Sequence, residues 1–329
     1  MKLSPSKACS APNQRCSTDY YPDRWGVILA GGDGTRLRPL TRKLAGDDRP
    51  KQFCPIIGSE TLLDLTRRRI GLSIAPDKTM FLLNRQHEPF YRPLLDGVSS
   101  DLLVVQPENR GTSPAIFYSL FRLAAMAPMD SVAFFPSDHF VSDDRIFMDH
   151  VERAFAAVRV RPELLILLGI APETPEVEYG WIEPGSAIQS WDASDLFRVH
   201  RFWEKPAPVL AQTLLARGCL WNSFIMIGSV SRFLALIRDA LPSLYRSFAG
   251  LKSALETSHE SEAIQRLYSR LRSMNFSDQV LVPRGHELGL LPVSGVRWSD
   301  LGEPNRVLSS LTWHNAQTDW AEAGGLRVA

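Results

Sequence analysis

A short apolar run, Val27-Ile28-Leu29, leads straight into a glycine-rich loop, Ala30-Gly31-Gly32-Asp33-Gly34. A strand that ends this way restricts the chain to folds in which a buried strand hands its carboxyl end to a tight turn. Gly31, Gly32 and Gly34 carry no side chain to block an anion, and successive backbone N–H groups in such a loop can cradle phosphate oxygens. Two fixed cations follow, Arg36 within the loop and Lys51 beyond it. Two better-known phosphate loops are excluded. No Lys-Ser/Thr pair follows a glycine here, as a P-loop requires, and Leu37 stands where a dinucleotide fingerprint needs its third glycine. Taken alone, the glycines fit a plain strand-to-helix turn equally well.

Downstream, apolar strand-like runs at 27–30, 80–84, 102–106, 132–136 and 164–169 alternate with helix-like segments near 62–70, 87–95, 114–126 and 145–158. This alternation predicts an α/β protein with a Rossmann-like, mostly parallel sheet, helices on both faces and ligands at the carboxyl ends of the strands. Ser113 reads as an N-cap with Pro114 at the first helical position, and Ile116, Leu120 and Leu123 fall on one buried face. After about residue 175, the segments YGWIEPG, FRVHRFWEKP and LWNSFIMIG read as a mixed strand extension of the same sheet. Residues 230–272 read as a helical insert without evident chemistry, 288–293 as a strand, and a short helix follows Pro304. The expected organisation is a polar tail over 1–24, one domain over 25–315 and a C-terminal tail over 316–329.

Lys and Arg number 37 against 36 Asp and Glu, so the formal net charge is +1. That balance offers no broad basic face for a nucleic acid or a membrane, while leaving room for a local cationic pocket. No apolar stretch reaches membrane-spanning length, and residues 1–24 lack the apolar run of a signal peptide. Cys9, Cys16, Cys54 and Cys219 form no CxxC pair, which fits free thiols in a reducing compartment. A cytoplasmic protein is expected.

Two aspartates follow strand-like segments, Asp138 in FFPSDHF and Asp300 in RWSDLGEP. Carboxylates at strand ends lie where open α/β sheets bind ligands and suit Mg²⁺ shared with substrate phosphates. Each is also a plain turn-forming residue. EYGWIEPG reads either as a hairpin turn or as a pocket wall, and FWEKP either as a surface Glu-Lys pair or as a ligand clamp. In QPENRGTSP, Gln106 and Gly111 could hydrogen-bond a base edge, or the segment is a simple Pro/Gly loop.

In order, LAGGDGTRLRPLT, PKQ, QPENRGTSP, FFPSDHF, EYGWIEPG, FWEKP, LWNSF and RWSDLG resemble the motifs of the sugar-1-phosphate nucleotidyltransferases, over roughly residues 25–310. Within them the chain looks most like the mannose-1-phosphate guanylyltransferase branch. The resemblance implies a nucleotide-diphospho-sugar transferase type of fold and Mg²⁺ as cofactor. It puts Leu29, Ala30, Gly31, Gly32, Gly34, Thr35, Gln106, Gly111 and Thr112 around the nucleotide. Tyr179, Gly180, Glu204, Lys205, Asn222 and Trp298 fall around the sugar phosphate, and Asp138 and Asp300 on the metal. Arg36, Lys51 and Asp138 are the implied catalytic residues, with Arg36 on the triphosphate, Lys51 near the α-phosphate and Lys205 on the sugar's phosphate. His139 is expected to be structural, because a sugar phosphate is already anionic and needs no base. Replacing Asp138 or Lys51 is expected to abolish turnover and spare the fold.

The implied reaction joins GTP, or another NTP, to a hexose 1-phosphate, with mannose 1-phosphate giving GDP-mannose and pyrophosphate. A homodimer is left open. The alternatives are a glucose-1-phosphate uridylyl- or thymidylyltransferase and a non-catalytic nucleotide-sugar-binding regulatory homologue. Two residues leave the branch pattern: Gly111 in RGTSPAI, where RNTAPAI is common, and Phe224 in LWNSF, where WNSG is common. Many bacterial members of the branch also carry a cupin-like isomerase domain or a β-helix. The expectation here is a transferase without a fused isomerase.

Overall fold

The computed structural model describes Tyr21 and residues 23–188, 195–254 and 257–314, so the tails expected over 1–24 and 316–329 lie almost wholly outside the described residues. Its strands are β1 (Arg24–Leu29), β2 (Thr79–Asn84), β3 (Leu103–Gln106), β4 (Ser131–Pro136), β5 (Phe140–Val141), β6 (Leu165–Ile170), β7 (Gly180–Ala187), β8 (Phe197–Glu204), β9 (Leu220–Ser229), β10 (Leu288–Val293) and β11 (Trp298–Ser299). Nine of them form one sheet in the order β3-β2-β1-β4-β9-β6-β10-β8-β7. The α/β class and the mixed extension are as expected from sequence. β3, β2, β1 and β4 are parallel. β9 then runs antiparallel between β4 and β6, so one of the later strands enters the middle of the sheet instead of its edge. β6 and β10 are parallel, and the antiparallel strands β8 and β7 close the far side.

Strand residues alternate between two cores. Val27 packs on one face of β1 and Ile28 on the other, and Phe134 and Phe135 repeat this in β4. Burial on both faces is why these strands read as continuous apolar runs. Helices Leu62–Ile70 and Asp144–Val160 cover one face, and Thr112–Met126, Val230–Ala240 and Pro242–Ala249 cover the other. Among the described residues no helix is long and apolar enough to cross a membrane.

Two local expectations change. The segment expected to be helical over 87–95 is α-helical only at Glu88–Tyr91, after a 3₁₀ turn at Arg85–His87. Arg92 keeps helical dihedrals, but Pro93 after it has no N–H to carry the hydrogen-bond ladder onward. Ser113 is not the N-cap of the next helix, because Gly111 takes that position with φ 84°. The Ser113 N–H donates to the Met274 carbonyl at 3.0 Å, and the Phe276 N–H donates to Thr112 Oγ1 at 2.7 Å. A distant segment thus does work that local sequence would assign to a cap. Ile116, Leu120 and Leu123 are fully buried, as their spacing predicts.

A second, two-stranded sheet pairs β5 with β11, setting Phe140 opposite Ser299 and Val141 opposite Trp298. Asp138 and Asp300 flank these strands, so this short antiparallel pairing carries both aspartate loops to one place.

Candidate functional site

A cleft of about 440 Å³ opens at the carboxyl ends of the parallel strands. Leu29, Gly31, Gly32, Arg36, Gln106, Gly111 and Thr112 line one side. Tyr179, Gly180, Glu204, Lys205, Asn222, Trp298 and Asp300 line the other. An adjoining cavity of about 330 Å³ shares Arg36, His139 and Asp300 with it and adds Gly34, Thr35, Lys51 and Asp138. Of the residues expected at the site, Ala30 alone lines neither. It is fully buried; its N–H donates to the Leu82 carbonyl at 2.8 Å, and its carbonyl accepts from Gln52 Nε2 at 3.1 Å. Its part is to hold the loop rather than to face a ligand.

The glycine loop is pinned by two residues that the sequence reading did not single out. Gln52, in the PKQ motif, donates from Nε2 to the Gly32 carbonyl at 2.8 Å as well as to Ala30. Asp33 accepts from Asn109 Nδ2 at 2.8 Å and lies 3.3 Å from His87 Nε2. The hydrogen bond with His87, joined by that from Asn109, outweighs burial and holds the Asp33 carboxyl below its usual range. A fixed loop suits anion binding because its N–H groups need no rearrangement. Gln106 closes in from β3, where a Cβ on Gly31 would stand 2.7 Å from its Nε2. Gly111 has a steric cause of its own: with φ +84°, a Cβ there would meet the Met274 carbonyl oxygen at 2.4 Å. The departure from the branch pattern is therefore explained by the 274–276 segment lying across this loop.

Lys51 is almost buried and joins the two aspartate loops. Its ammonium donates to the Asp300 carbonyl at 2.5 Å and the Leu301 carbonyl at 3.0 Å, and lies 3.3 Å from Asp138 Oδ2. Asp300 Oδ1 accepts from Arg306 Nη1 at 2.7 Å, the Gly302 N–H at 2.8 Å and the Tyr179 hydroxyl at 3.2 Å. Arg306 also pairs with Glu176 at 3.2 Å and lies over the Tyr179 ring. Burial pushes the Asp300 carboxyl up, but Lys51 and Arg306 together overturn this and hold it below the usual carboxylate range. With three donors on Oδ1, Asp300 Oδ2 is the oxygen left for a cation. Among the described residues no three His, Cys, Asp or Glu side chains gather into a metal cage. Two carboxylates with hard oxygen donors nevertheless fit Mg²⁺, which is commonly held by one or two carboxylates and completed by substrate phosphates.

His139 lines both cavities, and burial pushes its imidazole down to about 4, so it is neutral near pH 7. Its ring meets the edge of Trp298 at 5.0 Å, and Trp298 in turn contacts Tyr179. Trp221 packs on Tyr179 within the core. On the opposite wall, burial raises the Glu204 carboxyl, aided by Asp278 and opposed by a hydrogen bond from Ser277. Asn275 and Ser277 line the cleft, so the chain leaving the helical insert does reach the site. Asn222 Oδ1 accepts from the Phe224 N–H at 3.1 Å.

Backbone strain gathers here as well. Among the described residues the non-glycine positions with positive φ are Lys205 (45°), Phe224 (59°) and Leu301 (48°). Lys205 and Phe224 line the cleft, and Leu301 presents its carbonyl to Lys51. Such conformations cost about 1–3 kcal/mol each and cluster at functional sites. Finally, Glu178 Oε2 lies 3.1 Å from Arg36 Nη1 and 3.4 Å from Lys205 Nζ, joining the expected nucleotide cation to the expected sugar-phosphate cation. Glu178 opens the EYGWIEPG motif without having been singled out there, and Arg306 stands outside every motif; the contacts of both are with partners remote in sequence.

Comparison with known proteins agrees with this geometry. The profile of the nucleotidyl transferase family matches residues 25–312. Xanthan biosynthesis protein XanB of Xanthomonas campestris is 32% identical over 221 residues, covering 66% of this chain and 44% of that protein. Mannose-1-phosphate guanylyltransferase 2 of Escherichia coli O157:H7 is 28% identical over 292 residues, covering 84% of this chain and 57% of that protein. The chain thus spans about half the length of these relatives. A crystal structure described as mannose-1-phosphate geranyltransferase from Thermus thermophilus superposes with TM-score 0.75 at 25% identity, covering 87% of this chain and 79% of that one. With the family profile spanning nearly all the described residues and the motif residues lining one cleft, this chain is a member of the nucleotidyl transferase family.

Proposed function

We propose that this protein transfers a nucleotidyl group from an NTP to a sugar 1-phosphate with release of pyrophosphate, and that GTP and mannose 1-phosphate are its substrates. The observation that carries the reading is the β5–β11 pairing, which brings Asp138 and Asp300 together on the cavity that adjoins the cleft at Arg36 and His139. A phosphate oxygen of the sugar attacks the α-phosphorus in line, and the bond to the pyrophosphate leaving group breaks. Little covalent work falls to the protein, so positioning and charge neutralisation supply the catalysis. Arg36 meets the triphosphate and the departing pyrophosphate, and Lys205 holds the attacking sugar phosphate. Bound by Asp138, Asp300 and the substrate phosphates, Mg²⁺ would neutralise charge as the phosphates meet. A neutral His139 fits this chemistry, since the nucleophile arrives already ionised.

The choice of GTP and mannose 1-phosphate is supported by the named activity of the Escherichia coli relative. Phe224 bears on the hexose, because its ring lines the cleft from a backbone conformation that glycine adopts more easily. The test is a panel of GTP, ATP, UTP and dTTP with mannose or glucose 1-phosphate and Mg²⁺, followed by pyrophosphate release. Release requiring both substrates, and fastest with GTP and mannose 1-phosphate, is expected. Activity confined to UTP and glucose 1-phosphate overturns the substrate pair, and no release with any pair overturns the transfer reaction.

A further inference from the structure

We infer that Glu178 acts as an internal phosphate surrogate that ties the two substrate-binding cations together, so that each substrate helps the other to bind. The inference rests on the proposed transferase reading, in which Arg36 and Lys205 meet different phosphate groups. Both cations point to one oxygen of Glu178: Oε2 lies 3.1 Å from Arg36 Nη1 and 3.4 Å from Lys205 Nζ. Arg36 comes from the turn after the glycine loop and Lys205 from the end of β8, so the carboxylate spans the cleft between its two walls. Two like charges converging on open space repel one another, and an anion between them relieves that repulsion.

Neighbouring residues give Glu178 a fixed place from which to do this. Its backbone N–H donates to Glu176 Oε1 at 3.1 Å, and Glu176 Oε2 in turn pairs with Arg306. The next residue, Tyr179, reaches Asp300 through its hydroxyl. The loop before β7 therefore carries two clasps, one on the aspartate loop and one on the phosphate cations. All three members of the Arg36-Glu178-Lys205 bridge are at least a third exposed, so the pairs are weak enough for a phosphate to displace them.

Displacement has a consequence for order and affinity. A phosphate arriving on the Arg36 side frees that guanidinium from Glu178. The same phosphate repels the Glu178 carboxylate, which therefore swings away from both cations, and Lys205 becomes available to the second phosphate. The first anion thus bears most of the cost of opening the bridge, and the second binds more tightly. By linkage the effect must run both ways. Without the Glu178 carboxylate the two cations are no longer bridged, Arg36 keeping only the longer contact with Glu303 at 4.0 Å, and two anions bound side by side merely repel.

The experiment uses mannose 1-phosphate and inorganic pyrophosphate with Mg²⁺, a combination that cannot turn over, and reads affinities by titration calorimetry. In the wild-type protein, pyrophosphate should tighten mannose 1-phosphate binding about two- to fivefold, the range set by half-exposed ion pairs. Glu178→Gln should bind mannose 1-phosphate alone tighter by a similar factor, and pyrophosphate should then give no further gain or weaken binding. Glu178→Ala should behave alike, with thermal melts confirming that both variants fold. Variants that bind mannose 1-phosphate no tighter than wild type, or that keep the wild-type response to pyrophosphate, overturn the inference. Binding of neither ligand by any of the proteins overturns the transferase reading itself, and the inference with it.

Discussion

Arg306 reaches Asp300 at 2.7 Å, from Nη1 to Oδ1, and with that contact decides which carboxylate oxygen is left to face the cleft. Both side chains are largely buried, at 13% and 17% exposure, so the pair is shielded from solvent. Groups that orient a ligating carboxylate matter nearly as much as the carboxylate itself.

Replacing Arg306 by Met should accordingly do two things. Leaving Asp300 without its partner should cost ~2–4 kcal/mol of stability, as expected when one member of a shielded pair is removed. Turnover and Mn²⁺ affinity should each fall about 10- to 100-fold, the usual effect of losing a residue that orients a metal ligand. Urea denaturation and a Mn²⁺ titration followed by EPR check both. Unchanged Mn²⁺ affinity would mean that Arg306 serves the fold alone.

Lys51 and Asp138 should separate, contrary to the expectation that replacing either spares the fold. Lys51→Met leaves the Asp300 and Leu301 carbonyls without their donor and should cost about 2–3 kcal/mol along with turnover. Asp138→Asn keeps an acceptor beside Lys51, whose ammonium retains its two carbonyl partners, so it should cost only about 1 kcal/mol while turnover falls by about a thousandfold. Equal melting losses in the two variants would contradict the buried strut described for Lys51.

Gly111→Asn restores the residue common in the guanylyltransferase branch and should still be harmful here. Its Cβ would meet the Met274 carbonyl in a backbone region that other residues rarely occupy, at a cost of about 3 kcal/mol. A thermal melt within a degree of wild type would refute the steric account of this position.

Acid should weaken the fold through His139. Its folded value is depressed by burial from 6.5 to about 4, so below pH 6.5 the unfolded chain binds a proton that the folded protein refuses. Stability is fully present above pH 6.5 and falls as the pH drops towards 4, by on the order of 3 kcal/mol for this group. The lowered Asp300 carboxyl adds to the loss only below its ordinary value of 3.8, because a depressed acid stabilises the fold above that pH. Urea denaturation of EDTA-treated protein at pH 7, 5.5 and 4.5 measures the slope, which should flatten in His139→Gln.

The sequence by itself determined most of the longer elements and much of the cleft's lining, but not the short β5 and β11 strands. Two-sided burial writes strands as continuous apolar runs, and a glycine loop after the first of them marks a strand end, because both signals arise among neighbouring residues. The motif residues Arg36, Asp138, Glu204, Lys205 and Asp300 were legible for the same reason, each standing in a recognisable local string. Tertiary structure alone decided the rest. β9 enters the middle of the sheet between β4 and β6, and Met274 lies where Gly111 must have no side chain. Gln52 grips the loop from the PKQ turn, Arg306 orients Asp300 from the final helix, and Glu178 bridges two cations on opposite walls. The two aspartates meet because Phe140 pairs with Ser299. None of these contacts is encoded by periodicity or spacing. Each depends on the free energy of the assembled sheet, which selects among pairings that local sequence leaves equally open.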